Sequence, residues 1–61
     1  MKRKQLERHL KACGCQFERE GANHSWWHNP ILNKYSTVPR HKEIDDNLVR
    51  KICKDLSISF P

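Results

Sequence analysis

Four histidines, His9, His24, His28 and His41, are the residues of this chain best suited to proton transfer near neutral pH. His24 stands out. It follows a Gly21-Ala22-Asn23 turn and opens the aromatic run His24-Ser25-Trp26-Trp27. A turn–strand junction holds a ring rigidly and leaves it accessible. Such a ring could serve as general base or acid toward a ribose 2′-OH. Attack by that oxygen on the neighbouring phosphate breaks an RNA chain without a metal. A positioned acid or base contributes about 10²–10⁴-fold, and nearby cations would stabilise the phosphorane. The competing reading is structural: a strand histidine that caps its turn by a hydrogen bond.

Other residues could assist. Arg19, Lys34, Arg40 and His41 lie in or beside predicted strands and are candidates to hold phosphate. Trp26 and Trp27 must point to opposite sides of a strand, so one packs beneath other elements and one is exposed. Trp27 is taken as the exposed candidate for stacking a base, worth about 1–3 kcal/mol. His9 falls on an apolar helical stripe and reads as a packing residue.

A metal site is a weaker reading. Cys13-x-Cys15 and His24-x-x-x-His28 offer thiols and imidazoles. Zinc fingers favour two to four residues between cysteines and a longer gap before the first histidine. Cys53 is more simply a small buried hydrophobe. No cofactor or metal is expected.

The elements that must position these side chains follow from pattern. Leu6, His9, Leu10 and Cys13 recur at helical spacing from Lys2 to Cys13, and Gly14 suits the C-cap. Cations at Lys2, Arg3 and Lys4 oppose the helix dipole. They serve a partner, or they belong to a frayed, solvated terminus. Cys15 to Glu20 alternates as a half-buried strand, with Cys15 and Phe17 inward and Gln16, Glu18 and Glu20 outward. His24 to His28 is a second strand. Tyr35 to Val38 is a third, stopped by Pro39. Arg40 to Glu43 connects to a helix capped by Asp45 or Asp46 and running to Leu56. Leu48, Val49, Ile52, Cys53 and Leu56 form its apolar stripe. The order α-β-β-β-α implies an α+β fold: a three-stranded antiparallel sheet with two helices on one face and the other face open.

Size and charge bound the function. Sixty-one residues are expected to form a single domain, residues 1–61. Such a domain buries only about 60% of its unfolded surface. Its core has no room for an internal cofactor cavity, so a site must lie on the surface or against a partner. Twelve Lys and Arg against seven Asp and Glu give a net charge of +5 and a pI near 9.5. That charge meets the electrostatic footprint of a nucleic-acid-binding domain and equally fits a basic protein with a solvated face. Together with the open sheet face it makes RNA the expected partner. Three cysteines, an odd count, argue against a disulfide scaffold. No apolar run approaches a membrane span, and no signal core follows the basic start. The expectation is a cytoplasmic protein.

Gly21-Ala22-Asn23-His24 with its aromatic strand, then Thr37-Val38-Pro39-Arg40-His41, then an amphipathic C-terminal helix, resembles the HicA (YcfA-like) family of toxin mRNA interferases. The resemblance runs from about Lys4 to Ile58. Two segments depart from it: Ala22-Asn23 replaces a common Gly-Gly or Gly-Ser, and Cys15 replaces a common aromatic. The resemblance implies a double-stranded-RNA-binding-domain-like fold. It implies an endoribonuclease acting on mRNA, with the functional histidine at His24. It also implies a HicB-type antitoxin that masks the active site.

Overall fold

A computed structural model describes all 61 residues. The order is α1 (Arg3–Ala12), β1 (Gln16–Glu20), β2 (His24–Asn29), β3 (Lys34–Pro39) and α2 (Asp46–Asp55). The strands form one antiparallel sheet in the order β1-β2-β3. The α-β-β-β-α reading of the sequence therefore holds.

Each helix ends by the same device. Gly14 takes φ +88° after α1, and the Cys15 N–H reaches back to the Leu10 carbonyl at 2.9 Å. Ser57 takes φ +57° after α2, and the Ile58 N–H reaches the Cys53 carbonyl at 2.9 Å. Both are left-handed caps that satisfy carbonyls of the last turn. At the other end of α2, the Asp45 carboxylate accepts from the Asn47 N–H at 3.0 Å.

Leu6 and Leu10 from α1, Val49, Ile52 and Cys53 from α2, and Leu56 just beyond it meet Trp27 and Val38 of the sheet, with Cys15 and Ile44 beside them. Truncating one of the leucines to Ala would cost about 2–5 kcal/mol. Asn29, buried at the end of β2, donates to the Leu56 carbonyl at 2.8 Å and ties the sheet to the end of α2.

The start of the chain is not frayed. Met1 donates to the Ile44 carbonyl at 3.0 Å, and the Ile44 N–H returns to the Met1 carbonyl at 2.8 Å. The Arg3 N–H adds a bond to the Lys42 carbonyl at 3.0 Å. These pairings lock the first turn of α1 to the connector before α2.

β1 corrects the sequence reading twice. All five of its residues are exposed, so it is not half-buried. Phe17 pairs with Trp27, yet Arg19 pairs with Trp26, so the ladder slips between Phe17 and Arg19. Glu18 is the extra residue of a β-bulge. Beyond the bulge the alternation inverts. Arg19 turns to the open face, and Glu20 comes to the side of Ser25.

Candidate active site

Gly21 closes the turn before β2 by donating to the His24 carbonyl at 2.7 Å. Space, not dihedral angle, requires glycine here. A Cβ would lie 3.0 Å from the His24 carbonyl oxygen and 3.1 Å from the Trp26 indole nitrogen. The turn thus packs against the strand it introduces and delivers His24 to the first ladder position, opposite Pro39. The His24 residue is exposed, on the open side of the sheet with Trp26 and His28.

Arg40 follows Pro39 and reaches back across this end of the sheet. Its Nε donates to Glu20 Oε1 at 2.7 Å, and its Nη2 donates to the Gly21 carbonyl. The Ser25 hydroxyl donates to both oxygens of Glu20, at 3.0 and 3.1 Å. The Ser25 hydroxyl and then the Arg40 guanidinium hold the Glu20 carboxyl below the usual carboxylate range. Glu20 therefore fixes Arg40 against the turn that carries His24. The alternation in the sequence put Glu20 outward, and only the bulge reveals its place.

The remaining expected residues divide. Arg19 lies on the open face, with its guanidinium 5.4 Å from the centre of the Trp26 ring. His41 is exposed next to Arg40. Lys34 is exposed but pairs with Asn29, five residues along β3 from His24's partner, about 17 Å away at strand spacing. It does not join His24. Trp27 is 2% exposed beneath the helices. Its assignment as a base-stacking residue is therefore incorrect, and Trp26 is the half-exposed indole. Each face of β2 carries one tryptophan, and the docking of the helices decides which is covered.

His28 and His9 have partners. His28 stacks on Tyr35 with ring centres 4.2 Å apart and planes 11° from parallel, and its Nε2 lies 3.2 Å from Asn33 Oδ1. His9 Nε2 donates to the Ser59 carbonyl at 2.7 Å and lies 3.6 Å from the Cys13 sulfur. Cys15 is buried while His24 and His28 belong to the open face. The two thiols and two imidazoles of the metal reading do not converge.

The site is thus an accessible imidazole at a fixed turn, with a guanidinium held beside that turn by a carboxylate. It has the parts for proton transfer next to an anion. No helix is long and apolar enough to cross a membrane. No curated protein and no solved structure matches the chain significantly. The family model described as HicA toxin of bacterial toxin–antitoxin matches residues 3–58. With that match spanning both helices and all three strands, the chain belongs to the HicA toxin family.

Proposed function

We propose that this protein is a cytoplasmic endoribonuclease toxin that cleaves mRNA by general acid/base catalysis at His24 and is neutralised by a HicB-type antitoxin. The observation that carries the reading is the exposed His24 at the sheet end where Arg40 is fixed.

The nucleophile belongs to the substrate. A ribose 2′-OH attacks the adjacent phosphorus, the P–O5′ bond breaks, and the products are a 2′,3′-cyclic phosphate and a free 5′-OH. One proton leaves the 2′-oxygen and one joins the departing 5′-oxygen. His24 acts on one of these protons. Arg40 faces the charge that grows on the phosphorane oxygens, and His41 and Arg19 add positive charge and a donor nearby. This route needs no metal, because the attacking oxygen is internal.

Purified protein incubated with a long RNA in EDTA tests the reading. The expected result is cleavage with 2′,3′-cyclic phosphate ends. Intact RNA after incubation with the folded protein overturns it and leaves a non-catalytic RNA-binding module.

A further inference from the structure

A cleft of about 460 Å³ opens beside the first turn of α1, lined by Lys2, Arg3, Lys4, Arg40 and Lys42. All five are cationic. Arg40 is engaged by Glu20 at 2.7 Å, and Arg3 lies 4.0 Å from Glu7. Lys2, Lys4 and Lys42 are exposed and have no carboxylate within ion-pair distance.

The backbone enforces this convergence. Lys2 forms a bridge with Glu43, and the Arg3 N–H donates to the Lys42 carbonyl. The connector is thereby pinned against the first turn of the helix. Cations so gathered repel one another, and at a helix start they also oppose its dipole. Neither effect favours folding, and none of the five side chains belongs to the core.

The cleft adjoins the proposed site. Arg40 lines it and also grips the Gly21 carbonyl in the turn that leads to His24. RNA passing His24 and Arg40 would run toward the cleft.

We propose that this cleft seats the sugar–phosphate backbone of single-stranded RNA, binding phosphates that flank the one cleaved. The inference rests on the RNA reading given above. The cleft's size suits a short piece of single strand. Charge without aromatic lining suits backbone and not bases, so binding here is blind to sequence.

The test uses Lys2→Ala/Lys4→Ala/Lys42→Ala and a 2′-O-methyl RNA of about ten nucleotides, long enough to supply the flanking phosphates. That RNA cannot be cleaved, so the result is independent of the nuclease reading. Fluorescence anisotropy gives affinity across a salt series. The expected result is affinity about tenfold or more weaker, with the slope of log K against log salt flatter by about 2, from about 0.7 per lost phosphate contact. The thermal midpoint should stay level or rise as repulsion is relieved. Lysine-to-arginine changes at the same positions should restore the slope. Unchanged affinity and slope overturn the proposal. So does unchanged RNA binding with lost antitoxin binding, which would give the cleft to the protein partner. If the triple variant does not fold, Lys42→Gln is read in the same way, with a slope change of about 0.7. Failure of the wild-type protein to cleave unmodified RNA bears on the nuclease reading alone.

Discussion

Arg40 Nε lies 2.7 Å from Glu20 Oε1, and this ion pair joins the end of β1 to the residue that follows β3. It spans the turn that carries His24. Glu20→Ala removes one of the guanidinium's two anchors, leaving the Gly21 carbonyl, and leaves the core untouched. Cleavage should fall about 10–10²-fold in kcat/KM, the scale of a misplaced catalytic environment. Glu20→Gln keeps an acceptor and should lose less. Single-turnover kinetics on one RNA would separate the two variants, and equal activity in all three proteins would remove Glu20 from any positioning role.

The same carboxyl gives a pH prediction. The Ser25 hydroxyl and Arg40 hold its pKa below the ordinary 4.5. A lowered pKa means that the interaction is present at neutral pH and is lost as the pH falls through the lowered value. The Arg40 Nε–H and Ser25 amide resonances should therefore show a transition centred below pH 4.5. In Glu20→Gln that transition should vanish. Its absence in the wild-type protein, or its persistence in Glu20→Gln, would contradict the clamp.

His24→Ala should reduce cleavage by about 10²–10⁴-fold, the usual contribution of a positioned acid or base. The side chain is exposed and outside the core, so the thermal midpoint and RNA binding should change little. Undiminished cleavage by the variant would move the chemistry elsewhere.

The two adjacent tryptophans should behave oppositely. Trp27 is buried, and its indole N–H has no partner. Trp27→Ala should cost about 3–5 kcal/mol of stability. Trp26, half-exposed beside Arg19, should contribute to RNA affinity, with Trp26→Ala weakening binding by about 1–3 kcal/mol. Urea melts and anisotropy on both variants would check the division. Retained stability in Trp27→Ala would contradict its place in the core.

Ser57→Gly should stabilise the fold. Ser57 holds φ +57° in the cap of α2, a conformation that costs an L-residue about 1–2 kcal/mol. Glycine removes that strain but loses more entropy on folding, about 0.5–1 kcal/mol. The mid-values leave a net gain of about 0.75 kcal/mol, or roughly 3–6 °C for a domain of this size. A differential scanning melt would show it.

The element order was legible because Gly14, Pro39 and Asp45 are local signals whose physics needs no tertiary context. His24 was legible as a candidate because the turn before it is equally local. The bulge was not. Alternation from Phe17 to Glu20 is consistent with a regular strand, and the extra residue appears only when β1 meets β2. Glu20 and Ser25 were therefore missed as neighbours, and Arg40's anchor with them. The covered side of β2 was also hidden. His24, Trp26 and His28 differ little in polarity from Ser25, Trp27 and Asn29, so hydrophobic pattern could not choose between them. The basic cleft depends on contacts between residues near 2 and near 42, a separation that no motif spans.

The bulge at Glu18 has one more effect, on association. β1 is an edge strand with all its residues exposed, the kind of edge along which sheets of separate molecules can fuse. An incoming strand there would meet a broken register and the charges of Glu18, Arg19 and Glu20. β3 keeps an unbroken ladder with β2 from Lys34 to Pro39. Any strand added to this sheet, from a second copy or another protein, would find its regular edge along β3.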